Sequence, residues 1–426
     1  MKPLILVELN EVSFKFIQKY IDLGELPNFK KLLKKHKVLK THSEKEYRLL
    51  EPWIQWVTVH TGFNFDDHKI FRLGDGQNQK ENIWNKLYER NINSLLVSPM
   101  NSVNPNLQNS IYVPDPWNNS GVNGGIFLKF LHKSISSIVN SNAKNKFKLF
   151  DLFLFLISFL RFAKFKNYFI YSKILFKFPS KKWNKAILLD LLLADVFIGS
   201  LNKKYGFSSI FLNASAHIQH HYFHSSKVYK GDKKNPDWYC SKGKDPLLDV
   251  YRAYDSIVEN LYKFKEKYRI IYVTGLSQEP TLNPTYYWRL KNHRKFLKQL
   301  KINFLEIEPR MSRDFLVTFN NNEDAIAAEQ EFIKLTIDGK KVFEIDNRGL
   351  TLFVTLTYSK PIKNKTPLYL ENNIFIKNFF KYISLVALKN GEHNETGYFI
   401  DTDLKDDDLK NIPLTRVHEI ILENYK

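Results

Sequence analysis

Four apolar runs of strand length, at residues 3–9, 92–98, 207–213 and 268–274, alternate with helix-patterned sequence. Segments in which apolar residues cluster in runs, rather than at every second position, read as buried strands, and their alternation with helices argues a parallel sheet with helices on both faces. Residues 12–35 read as a helix broken by Gly24 and Pro27, and helices are also expected near 83–90 and over 246–265. An Asn-, Pro- and Gly-rich loop spans 99–125, and 126–205 is mostly helical in pattern. The expected fold is α/β, with a mostly parallel central sheet and helices on both faces. Residues 312–358 differ. There Leu352, Val354 and Leu356 alternate with Phe353, Thr355 and Thr357, the pattern of an antiparallel sheet with one covered face. They read as a small β-α-β-β insertion. The expected organisation is a core over 1–311 with a helical insertion near 126–205, a small α+β insertion or cap over 312–358, and a return to the core over 359–426.

Composition narrows the function. A single cysteine, Cys240, excludes a disulfide scaffold and any CxxC zinc or redox site. Lys and Arg total 64 against 44 Asp and Glu, a formal charge of +20. The lysines are spread along the chain with no nucleic-acid motif, so no specific nucleic-acid partner is expected. The balance of Lys and Phe also matches a low-GC bacterial codon bias. The opening apolar run meets Glu8 too soon for a secretory leader, so the expected location is the cytoplasm.

The most apolar stretch, Leu152–Leu160, is far short of the roughly 20 residues of a membrane span. Lys146, Lys148, Arg161, Lys164 and Lys166 flank it. Two readings stay open: a core or cap helix, and a membrane-surface contact through 147–166 peripheral to the inner membrane.

Four blocks, in order, carry a resemblance. They are LILVELNEVSFKFIQKYIDLGELPNFKKLL from Leu4, EPWIQWVTVHTG from Glu51 followed by His68, FLNASAHIQHHYFH from Phe211 followed by DVYRAYDSIVENL, and GEHNETGYFI from Gly391. Together they resemble the alkaline phosphatase superfamily, in particular its nucleotide pyrophosphatase/phosphodiesterase branch. Gly24, Leu26, Pro27, Asn28 and Leu32 match that branch's G-x-L-P-N signature. The resemblance implies in-line attack on phosphorus by a Thr or Ser, with two zinc-like ions clamping the attacking and leaving oxygens. It puts His220 and His393 on metal-ligand positions. At the first ligand position stands Asn10, with Glu8 and Glu11 beside it. Ala216 and Gly275-Leu276 replace an Asp and an Asp-His pair of the family pattern, and Pro52 falls near the nucleophile position, preceded by Glu51.

The resemblance and the residues together give a candidate site. Asn10, Glu8, His220 and His393 are the expected metal ligands, for one divalent ion, zinc or manganese. Thr58, Glu51 and His217 are the candidate catalytic groups. On a helix, His217, His220 and His221 would share a face. Trp53, Gln55, Trp56 and His221 are candidate substrate contacts, since indole faces with amides and carboxylates suit sugars; a buried tryptophan corner is the other reading. Glu8 reads equally as a buried acid paired with a Lys or Arg. The expected function is a divergent hydrolase or transferase acting on a phosphoester. Its substrate would be an anionic small molecule or a glycan-phosphate, lipid-linked or nucleotide-sugar compound. The alternative is a catalytically inactive member of the fold that binds a ligand.

Overall fold

The computed structural model describes residues 2–74, 81–144, 149–176, 181–310, 313–404 and 410–426. Lys146 and the first two residues of the 147–166 stretch lie outside the described residues. The chain divides into two compact units: Met1–Ile138, Lys148–Pro280 and Gly391–Lys426 form the first, and Val139–Phe147 with Thr281–Asn390 the second.

The first unit opens with β1 (Leu4–Leu9), α1 (Phe14–Asp22), α2 (Pro27–Lys35) and β2 (Val38–His42). Then come α3 (Pro52–Thr61), α4 (Phe65–His68), α5 (Ile83–Tyr88), β3 (Asn93–Val97) and β4 (Ile111–Val113). A helical stretch follows as α6 (Ile126–Lys144), which from Val139 on is grouped with the second unit, then α7 (Leu149–Phe162), α8 (Tyr168–Phe176) and α9 (Asn184–Ser200). After it run β5 (Tyr205–Leu212), α10 (Ala214–Tyr222), α11 (Pro246–Tyr262) and β6 (Arg269–Val273). Local chemistry sets these boundaries. Pro27, Pro52 and Pro246 open α2, α3 and α11 at the position where a missing N–H is harmless. Asp245 caps α11 by accepting from Leu248 N, and Gly62 closes α3 with φ 78°.

The chain crosses to the second unit along β7 (Ser277–Leu290). That unit contains α12 (His293–Gln299), β8 (Glu306–Pro309), β9 (Asp314–Thr318), α13 (Asn322–Ile333), β10 (Leu335–Ile337) and β11 (Lys340–Lys341). It continues through β12 (Phe343–Asn347), β13 (Thr351–Leu356), β14 (Leu368–Leu370) and β15 (Asn373–Ile376). The return runs along β16 (Ile383–Asn394) into β17 (Thr396–Asp401), β18 (Asn411–Pro413) and α14 (Arg416–Glu423).

The central sheet has eight strands in the order β18-β2-β17-β6-β1-β5-β3-β4. The four apolar runs of the sequence are its contiguous parallel centre, β6-β1-β5-β3. Only β17 runs antiparallel, between β6 and β2. On one face Leu4, Leu6, Phe207, Phe211 and Ile271 pack with Trp56, Trp84 and Val417 from α3, α5 and α14. Ile5 and Val7, equally buried, point to the opposite face, where α9 packs on β3 and β5 and α11 packs on α9.

The second unit has its own core, in which Phe315, Val317, Phe332, Phe343, Leu352 and Val354 meet. Its antiparallel sheet β12-β13-β9-β8 holds the expected β-α-β-β pattern, and a second small sheet runs β11-β10-β14-β15. The unit is wider than residues 312–358, because β14 and β15 continue it and β7, α12 and β8 precede it. Strands of three or four residues carry too little pattern to be seen in the sequence.

Candidate metal centre

Three strand ends build the site. Beyond β1, Asn10 N donates to Leu212 O at the end of β5 at 3.0 Å, and Glu11 N donates to Thr274 O beyond β6 at 3.1 Å. The two residues thus extend the parallel ladder by one step to each side. Glu11 then takes φ 58°, in the left-handed region that a residue with a Cβ rarely adopts, and the chain turns back with Val12 N on Leu9 O at 3.3 Å. Its carboxylate is buried, 2% exposed at the side chain.

His220, on α10 just after β5, and His393, near the end of β16, meet that carboxylate. Nε2 of His220 lies 3.3 Å from Glu11 Oε2, and Nε2 of His393 lies 3.2 Å from the same oxygen. The two Nε2 atoms are 3.2 Å apart. This near-equilateral triangle has the size of one face of a tetrahedron. Bonds of about 2.0–2.1 Å from a central ion to N and O ligands put those ligands roughly 3.3 Å apart. A single proton can bridge only one edge of the triangle at a time, whereas one cation satisfies all three corners. The donor set suits a zinc-like ion, and three protein ligands leave a fourth position open. Burial alone would push the Glu11 carboxyl up. The His393 and His220 imidazoles outweigh that and hold it well below the usual carboxylate range.

A second layer orients the three corners. Nδ1 of His220 faces Gly391 O at 3.4 Å, and Nδ1 of His393 faces Glu51 Oε2 at 3.9 Å. Directing an imidazole's remote nitrogen at an oxygen is how ligating histidines are held in one tautomer and orientation. Asn10 Nδ2 donates to Glu11 Oε1 at 3.2 Å, and the Gln278 amide donates to Glu11 Oε2 and to Ala216 O. Gln219 donates to Glu11 O at 2.6 Å and accepts from Ser13 N at 3.0 Å.

The structure brings His220 and His393 together and sets Glu11 where Asn10 was expected. Asn10 supports rather than ligates: its Oδ1 accepts from Trp56 Nε1 at 2.7 Å, and its amide also donates to Asn213 Oδ1. Glu8 points away into the core, where Ser209 donates to it and His60 Nε2 lies at 3.2 Å. It is a paired buried acid, and its partner is an imidazole rather than a Lys or Arg. Thr58 is 3% exposed and its hydroxyl faces Ile54 O and His68 Nε2, both at 3.4 Å, so it is not offered to a substrate. Burial pushes the His68 imidazole down to about 4, so it stands there neutral.

Gln55 and Trp56 are also buried, at 1% and 0%, so neither presents a surface to a sugar. Trp53, half-buried, donates to Phe71 O at 3.0 Å. Glu51, by contrast, does reach the site through His393. His217 and His221 lie on α10 as the spacing required, their rings 5.0 Å apart; His217 is exposed and His221 half-buried. Among the described residues, Glu11, His220 and His393 are the one group of three or more His, Cys, Asp or Glu arranged to hold a metal ion.

No protein-family model matches the sequence, and no curated protein matches it. Among solved structures the chain is similar to phosphonoacetate hydrolase from Sinorhizobium meliloti 1021 in complex with phosphonoformate. That alignment has 11% identity and a TM-score of 0.43, covering 99% of this chain and 95% of the other. It is also similar to human ectonucleotide pyrophosphatase/phosphodiesterase 5, at 9% identity and a TM-score of 0.41, covering 99% and 94%. At identities and scores this low, the chemistry of the site rests on the side chains themselves.

Proposed function

We propose that the protein is a single-metal hydrolase or transferase acting on a phosphoester. The observation that carries this reading is the 3.2–3.3 Å triangle of Glu11, His220 and His393. Zinc or manganese would be held by those three side chains, and such an ion supplies Lewis acidity toward an anionic oxygen ester when bound. Ala216 and Gly275-Leu276 supply no ligand for a second ion. With Thr58 turned into α3, the attacking group is water or an acceptor hydroxyl. Glu51, partly exposed and 3.9 Å from Nδ1 of His393, would act through that imidazole. The substrate class is an anionic phosphoester, including glycan-bearing, lipid-linked and nucleotide-sugar compounds, handled in the cytoplasm at the periphery of the inner membrane.

Metal analysis and calorimetry on the full chain test the first half. One zinc or manganese per chain is expected. Glu11→Gln, His220→Ala and His393→Ala should each weaken binding more than about 100-fold, and Glu51→Gln about 10–100-fold through His393. A wild-type chain that is folded yet takes up no divalent ion would sink the proposal. Hydrolysis of bis(p-nitrophenyl) phosphate and p-nitrophenyl phosphate by the loaded protein tests the second half. The buried Thr58 hydroxyl favours a second reading, a ligand-binding member of the fold. Stoichiometric metal with no turnover on any ester would select it.

A further inference from the structure

We propose that the start of α6, through Lys133, together with α7 and α8 forms a docking face for an anionic phospholipid bilayer. Asp151, Leu154 and Ser158 form the buried stripe of α7, spaced three and four apart. Leu149, Phe153, Leu156 and Leu160 occupy other positions at the same spacing and are exposed, Leu149 at 85% and Leu160 at 70%. The buried stripe holds two polar residues and the exposed one is wholly apolar, the reverse of a helix that turns its polar face to water. Phe165 and Phe169 extend the apolar surface toward and onto α8, at 86% and 67% exposure. Large exposed apolar patches of this kind mark an interaction surface.

Charge identifies the occupant. From Ile126 to Phe176 the one acidic residue is Asp151, which is buried and accepts from Ser137. Lys129, Lys133, Arg161 and Lys173 are exposed on the same three helices. Three of them rest against the aromatic residues: Lys133 over the Phe150 ring at 5.4 Å, Arg161 over Phe127 at 6.0 Å and Lys173 over Phe169 at 4.4 Å. Aromatic rings that enter the lipid boundary while their basic neighbours reach headgroup phosphates are the makeup of an interfacial helix. A second copy of the chain would set basic residues against basic residues on this face, which opposes self-association. No helix of the described residues is long and apolar enough to cross a membrane, so the contact lies along the surface.

This inference does not depend on the metal reading, and its test reads binding rather than turnover. The full chain is sedimented with vesicles of phosphatidylcholine alone and of phosphatidylcholine mixed with phosphatidylglycerol. Binding to the mixed vesicles is expected, with little to the neutral ones and release by high salt. Lys133→Gln and Lys173→Gln should each lower the partition coefficient ~5-fold. Leu156→Ser with Leu160→Ser should abolish binding while leaving the circular dichroism spectrum unchanged. Failure of the wild type to bind mixed vesicles overturns the proposal. So does equal binding by wild type and the lysine variants, or a wild-type dimer that Leu160→Ser dissociates.

Discussion

Asp190 on α9 is buried, and burial pushes its carboxyl up to about 7 against the pull of the Tyr254 hydroxyl and Ala214 N–H that donate to it. In the unfolded chain it titrates near the ordinary value of about 3.9. Between those values the folded state keeps a proton that the unfolded state has lost. The group therefore makes stability fall as pH rises from about 4 to 7, by up to about 1.4 kcal/mol per pH unit. Asp190→Asn keeps an oxygen for both donors and cannot ionise. Urea melts across that window should show a variant that gains stability over wild type as pH rises; parallel pH profiles would contradict the assignment. At the same scale, the sequence blocks put His220 and His393 on ligand positions and so found two corners of the triangle. They missed Glu11 because strand alternation says nothing about the residue that ends a strand. The left-handed turn at Glu11 swings its carboxylate over the strand ends, at a local cost of about 1–2 kcal/mol. A neutral amide flanked by two acids was the available signal. Within β1 the pleat sends Glu8 into the core with His60, whereas the left-handed turn beyond the strand carries Glu11 to the histidines.

At the scale of the element, α3 shows how packing decides what a motif does. Its sequence mixes Glu51, Trp53, Gln55, Trp56 and Thr58, which read as a ligand-binding set. Yet Pro52 through Thr61 faces the sheet and α14, and apart from Trp53 its side chains are buried. Only Glu51, preceding the first turn, reaches the histidines. Gly62 ends the helix at φ 78°, and a Cβ there would come within 2.9 Å of His418 Cδ2. Gly62→Ala therefore combines left-handed strain with overpacking and should lower stability by about 2–4 kcal/mol in a denaturant melt. An effect below about 0.5 kcal/mol would mean the His418 ring moves aside freely. The central strands were legible because each carries a short cluster of consecutive apolar residues, such as 95–97 in β3 and 270–273 in β6. β2 and β17 were not, since β2 alternates buried and exposed positions and carries Lys40 within it. β4, three residues inside a polar loop, gave no signal at all.

At the scale of the molecule, two separate cores predict unfolding that is not two-state. The metal corners all lie in the first unit. An ion at about 1,000 times its dissociation constant adds about 4 kcal/mol to whatever unfolds with the site. Scanning calorimetry with and without zinc should raise one transition and leave the one belonging to residues 281–390 in place. A uniform shift of the whole profile would show that the units unfold together. The sequence located the centre of the main sheet but drew the second unit too narrowly, since β8, β14 and β15 have only four, three and four residues. The three corners are far apart along the polypeptide. Glu11 emerges from the ribosome before His220, and His393 follows only after residues 281–390. A nascent chain holds at most two of the three until the second unit has been made in full. Loading of the site therefore waits for the second unit, and a loaded chain is one whose translation has passed that point.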